Sequence, residues 1–195
     1  MSSPMLSSCL KEEESAMTML ELISARRSYR GKYRPVPVPR EHLKQIVEAG
    51  YHAPSGCNKQ TTAFIAVDDP EVMAKLFSVI HPPMAETAPA MICVLTRKII
   101  AYRDRTYYIQ DYAAAIENML LAIQDLGYAS CWIEGHITDT DRIGYQMQKI
   151  LGVPEEYDLI CYLPVGIPAG EIKPVKKQPL EERAWLNGFG KSFEE

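Results

Sequence analysis

The sequence contains no apolar run approaching the roughly 18 to 20 residues that a membrane-crossing helix requires, and no spanning segment is expected. Its five cysteines, at 9, 57, 93, 131 and 161, are odd in number and form no CxxC pair; its four histidines, at 42, 52, 81 and 136, make no zinc-ligand spacing. A disulfide framework and a structural metal are therefore set aside, and a reduced, cytoplasmic, metal-free protein is the economical expectation. "LSSC", Leu6 to Cys9, lacks the basic start and apolar stretch of an export signal. There is no HExxH, no GxSxG and no GxGxxG after a strand. "GFGKS", Gly188 to Ser192, imitates the end of a phosphate loop, but Trp185 stands where its first glycine belongs and no helix is expected to follow. An excess of basic charge is absent too. Lys and Arg number 21 against 25 Asp and Glu, giving a net charge of −4 and a pI near 5.6. General affinity for nucleic acid is not expected, and any bound anion is a small, local one. With the self-contained catalytic motifs missing, chemistry is pushed onto a cofactor.

What is present is ordinary for a soluble globular chain: 195 residues, 47% hydrophobic and 24% charged. Residues 1–16 read as a polar N-terminal arm carrying "KEEE", and 17–195 as a single domain with a C-terminal extension. Thr18-x-x-Glu21 is a capping box opening a helix over about 18–27, with Met19, Leu20 and Ile23 on one face. The prolines of "RPVPVPREH" make an extended connector, and Leu43, Ile46, Val47 and Gly50 mark a second helix. "TTAFIAV" (61–67) reads as a strand, Asp69-Pro70 opens a helix to about 79, and "AMICVLT" (90–96) reads as a strand buried on both faces. A long helix over 111–126 carries Ile116, Met119, Leu120 and Ile123, and Gly127 stops it. "ASCWIEG" (129–135) reads as a strand, Thr138-x-x-Asp141 as the cap of a helix ended by Gly152 and Pro154, and "LICYLPVGI" (159–167) as the last strand. Helices and strands alternate without repeat, which by pattern alone reaches an α/β or α+β domain with a central sheet.

Three stretches carry the functional signal. "SARRSYRGKYR" (24–34) gathers Arg26, Arg27, Arg30, Lys32 and Arg34 in an acidic chain. These cations either complement a helix C-terminus, worth about 0.3–1 kcal/mol, or await an anion. Five cations with Ser28 among them favour the anion, because guanidinium forks grip phosphate bidentately and stay charged. "APSGCNKQ" (53–60) joins a helix to a strand; Gly56 permits close backbone approach and Asn58 offers donor and acceptor together, although "PSG" alone would make an ordinary turn. "GYASCWIEG" (127–135) is the third.

In order and spacing these stretches resemble the nitroreductase family of FMN-dependent flavoproteins, with its early RRSxR and a PSxxNxQ loop, over roughly residues 17–183. The resemblance implies an α+β fold with a central, mostly antiparallel or mixed sheet flanked by helices, an intertwined homodimer, and FMN at the interface. It places Arg26 and Ser28 on the phosphate, with Arg27 beside them, and Arg30 at the polar edge of the flavin ring. The loop residues Pro54, Ser55, Gly56, Asn58 and Gln60 would reach FMN held mainly by the other subunit. The backbone at Glu134 and Gly135 would face flavin N5, and Lys177 with Lys176 would return to the phosphate, Val175 taking one usually basic slot. Thr61-Thr62 departs from the Pro-Trp pair that commonly follows the loop. The implied activity is hydride transfer from NAD(P)H and reduction of an electron-poor aromatic acceptor, a nitroarene or quinone, with no catalytic side chain assigned and no metal. A non-catalytic FMN store or sensor, and a phosphate-binding domain without flavin, are the competing readings. "AYRDRTYYIQD" (101–111) is read two ways, as a cover that stacks on or pairs with an aromatic acid, or as a solvated face.

Overall fold

The computed structural model describes residues 17–82, 84–135 and 137–193, so the expected arm of residues 1–16 lies outside the described residues. Helix α1 (Met19–Ala25) opens with the expected capping box: the Thr18 hydroxyl accepts from the Glu21 N–H, and the Glu21 carboxylate accepts from the Thr18 N–H. It ends two residues earlier than expected, and only Leu22 is buried; Met19, Leu20 and Ile23 face solvent. Helix α2 (Arg40–Tyr51) follows the proline connector and buries Leu43, Ile46 and Gly50. Strand β1 (Thr62–Val67) leads to α3 (Pro70–Val79), where Asp69 accepts from the N–H groups of Glu71 and Val72 and Pro70 occupies the first turn, as read from the sequence.

Strand β2 (Ala90–Thr96) is buried along its whole length and pairs antiparallel with β1 on one side and β5 (Asp158–Val165) on the other. Its period of two divides the interior. Ala90, Ile92 and Val94 pack with Ile46 of α2 and with Ile116, Met119 and Ile123 of α4 (Tyr108–Asp125), whereas Met91, Cys93 and Leu95 pack with Leu76 of α3 and with Ile143 and Met147 of α5 (Ile143–Leu151). The result is a sheet between two helical layers, an α+β architecture of mixed, mostly antiparallel pairing. A hairpin not foreseen from the sequence, β3 (Ile100–Tyr102) with β4 (Arg105–Thr106), precedes α4.

Two expectations are corrected. Residues 129–135 do not form a continuous strand; they touch the sheet through single bridges, Ala129 to Gly166 and Ile133 to Tyr162, with Ser28 bridging Ser130 in parallel. That register sets residue 131 opposite Pro164, which has no N–H to donate, and the ladder is interrupted there. Thr138 and Asp141 do not cap α5. The buried Ile137 draws the chain into the core, its carbonyl accepts from the Gly144 N–H at 2.9 Å, and the helix starts only after Arg142, whose φ is 53°.

Candidate functional site

The cation cluster lies beyond α1, with Arg26 as its C-cap and no basic residue in its last turn; Arg27 reaches back to the helix end, and Arg30, Lys32 and Arg34 lie past it. From Ser28 the chain is neither helix nor continuous strand and bends at Gly31 between single bridges at Ser28 and Tyr33. Tyr29 and Tyr33 turn inward, their rings edge-on with centroids 5.2 Å apart, while Ser28, Arg30, Lys32 and Arg34 face outward. The segment is pinned from behind. Tyr29 donates its O–H to the Lys32 carbonyl at 2.5 Å and accepts from the Gly170 N–H at 3.1 Å, and its own N–H binds the Ser130 carbonyl at 2.7 Å. Arg26 pairs with Glu117 of α4 at 3.1 Å, and Arg27 donates to the carbonyls of Ser24 and Arg26. No ion pair engages Arg30, Lys32 or Arg34 among the described residues. A cavity of about 600 Å³ opens here, bordered by Ser28, Arg30, Lys32, Gly170 and Lys173. Lys176 and Lys177 lie further along the exposed tail and do not line it.

Glu134 and Gly135 follow the bridged segment. The Glu134 carboxylate is fixed by two donors, the Tyr112 O–H and the Trp132 N–H, each at 2.8 Å. Burial, and then this bond to Glu134, raise the Tyr112 hydroxyl above its usual range, which keeps it a donor. Nothing stands within 4 Å of where a Cβ at Gly135 would project. The Ser130 hydroxyl is buried without a partner. Unpaired cations around a serine hydroxyl, an orphaned buried hydroxyl and open space at Gly135 are donors and room of the kind a phosphate-bearing, flat ligand such as FMN requires.

The loop Pro54, Ser55, Gly56, Asn58, Gln60 stands apart from the cations and is fastened to a different face of α4. The Gly56 N–H donates to Asp111 Oδ1 at 2.7 Å and the Thr61 hydroxyl to Asp111 Oδ2 at 2.6 Å, while Asn118 holds the Ala49 carbonyl at 3.1 Å. A Cβ on Gly56 would come within 2.6 Å of the Tyr107 ring, so the close approach expected of this glycine is present. Helix α4 thus organises every part: Asp111 holds the loop, Tyr112 holds Glu134 and Glu117 holds Arg26. Asp111, Tyr112, Glu117, Ser130 and Trp132 escaped the sequence reading. Ser130 and Trp132 lie inside the stretch 127–135 singled out from the sequence, and Asp111, Tyr112 and Glu117 inside the expected long helix, but none was given a role there.

The family model described as "Nitroreductase family" matches residues 23–86 and 77–167. A Methanothermobacter thermautotrophicus protein named "Putative NADH dehydrogenase/NAD(P)H nitroreductase" is 32% identical over 80% of this chain and 80% of its own length. Among solved structures, an FMN-dependent nitroreductase of Clostridium difficile superposes with a TM-score of 0.74 at 27% identity, covering 88% of this chain and all of the other (100%). A Bacteroides fragilis nitroreductase with bound FMN gives 0.70 at 28% identity, covering 86% and 98%. Sequence and fold agree on one lineage: this chain belongs to the nitroreductase family.

Proposed function

We propose that the protein is an FMN-dependent oxidoreductase that takes hydride from NAD(P)H and passes reducing equivalents to an electron-poor aromatic, a nitroarene or quinone, by a ping-pong route in a single cavity. The observation that carries this reading is the outward row of Arg30, Lys32 and Arg34, in no ion pair among the described residues and backed by the buried Tyr29 and Tyr33, with Ser28, Arg30 and Lys32 bordering a cavity of about 600 Å³. FMN, when bound, supplies the hydride-accepting and electron-delivering chemistry. The chain's own residues would do the rest. Ser28 and Arg26 would hold the phosphate with Arg27, Arg30 would put positive charge at the ring's polar edge, and the main chain at Glu134 and Gly135 would orient N5. Lys176 and Lys177 would have to swing in from the tail to add charge.

Two observations support a homodimer with FMN at the interface. The loop bearing Asn58 and Gln60 hangs on a different face of α4 from the cations, as expected if it serves a partner's site. Helix α1 also leaves Met19 and Leu20 at 64% and 78% exposure, an apolar face that a second copy would cover. A reducing, cytoplasmic setting belongs to the same proposal, supported by four free cysteines among the described residues; no helix there is long and apolar enough to cross a membrane.

The test is an absorption spectrum of protein purified with FMN, followed by anaerobic NADH or NADPH. Retained flavin that bleaches, then recovers on adding a nitroarene or quinone, is the expected result. Retained flavin that neither nucleotide reduces would replace the oxidoreductase with an FMN store or sensor, and folded protein that keeps none would overturn the flavin reading.

A further inference from the structure

Asp111 sits in the first turn of α4 with only 4% of its surface exposed, and no ion pair joins it among the described residues. A buried carboxylate is costly unless both oxygens are occupied, and here they are, by the Gly56 N–H and the Thr61 hydroxyl. These donors stand at the two ends of the loop. Between them Cys57, Asn58 and Gln60 all take left-handed backbone angles, with φ of 50°, 53° and 48°. Side chains with a Cβ disfavour that region, and such a run persists only where its surroundings over-determine it. Within the loop the other hydrogen bonds are local: Asn58 N–H to the Ser55 carbonyl and Gln60 N–H to the Ser55 hydroxyl at 3.0 Å, Lys59 N–H to the Gly56 carbonyl at 3.1 Å, and the Gln60 amide N–H to Asn58 Oδ1 at 3.4 Å. At its far end the Thr61 carbonyl accepts from the Arg97 N–H at 3.0 Å. Asn58 and Gln60 remain exposed, at the rim of a cavity of about 340 Å³ that Asp111 and Thr61 also border.

We propose that Asp111 is a positioning residue that, together with Thr61, clamps residues 55–61 in the conformation that presents the Asn58 and Gln60 amides to the flavin. This rests on the FMN reading above. In this role Asp111 acts through the loop, across 55 residues to Gly56 and 50 to Thr61.

Three variants of the full chain test it. Asp111→Ala removes both acceptors; Thr61→Val, nearly isosteric, removes one donor; Asp111→Asn keeps an acceptor for Gly56 while the Thr61 hydroxyl can turn to accept. Each is titrated with FMN, the visible spectrum of the bound flavin is recorded, and amide exchange at Gly56 is followed without FMN. FMN affinity should fall about 10-fold or more in Asp111→Ala, about 3- to 10-fold in Thr61→Val and under about 3-fold in Asp111→Asn, as one or two modest hydrogen bonds imply. The flavin band should shift and Gly56 exchange should quicken in the same order. Thr61→Val and Asp111→Ala with wild-type affinity, spectrum and exchange would overturn the clamp. Should Asp111→Ala not fold, Thr61→Val decides alone. A wild-type chain that takes up no FMN overturns the underlying flavin reading instead, and Gly56 exchange then still reports whether the clamp holds the loop.

Discussion

Three buried thiols show how strongly place governs chemistry. Burial pushes Cys93 up to about 12 and raises Cys131 and Cys161 as well, so each stays a neutral, small apolar group, as their apolar sequence neighbourhoods suggest. The consequence for stability has a definite sign. A thiol whose folded value lies above its unfolded value, near 9, contributes fully below that value and loses its contribution as pH rises toward 12. Stability should therefore hold to about pH 9 and decline above it, which urea midpoints at about pH 7.5 and about pH 10.5 will read. A flat profile would show that the thiols ionise freely in the fold. Cys57 is the one exposed cysteine among those described, and alkylation of the native chain at neutral pH should label it and spare Cys93, Cys131 and Cys161.

Helix α3 was legible because its signals are local: Asp69 at the cap and Pro70 in the first turn. Asp69→Ala should cost about 1 kcal/mol. That corresponds to a fall of about 2–4 °C in Tm for a chain of this size, read by thermal unfolding. The hairpin of β3 and β4 was not legible, because "AYRDRTYYIQD" has neither strand alternation nor a glycine turn; Arg103 supplies the turn with a φ of 53° and stacks over Tyr102 at 5.2 Å. Its role follows from its neighbours, since Tyr107 just after it packs on Gly56 of the candidate site. If the hairpin covers the cavity, Arg103→Ala with Arg105→Ala should raise KM for a nitrobenzoate about 10-fold while sparing neutral nitrobenzene, a change of one charge-assisted contact. Equal effects on both acceptors would leave the hairpin a solvated face.

For the assembled protein, the decisive expectation concerns α1. Its apolar face is written at helical spacing as though for a core, yet the single chain buries only Leu22. Met19→Glu with Leu20→Glu should leave the fold intact, shift sedimentation to a monomer and lose FMN together, because the proposed site needs two chains. A variant that remains a dimer with full flavin would remove α1 from the interface. The buried centre behaves differently: Ile116→Ala, in a fully enclosed position between β2 and α4, should cost about 2–5 kcal/mol by denaturant unfolding.

What the amino-acid order alone determined rests on near neighbours and on a segment's own composition, where no distant contact overrode it. The capping box at Thr18, the opening of α3, the doubly buried β2 and the crowding of cations in "SARRSYRGKYR" are of this kind. Features that depend on contacts between distant segments came only with folding. The strand expected at 129–135 is broken by Pro164 some thirty residues on, the start of α5 is displaced by the burial of Ile137, and the cavity-rim loop takes its shape from Asp111 on another element. The physical reason is common to all three. Propensity and periodicity act through a few neighbouring bonds, whereas a missing N–H, an enclosed side chain or a buried carboxylate exerts its demand on whichever partner packing brings near.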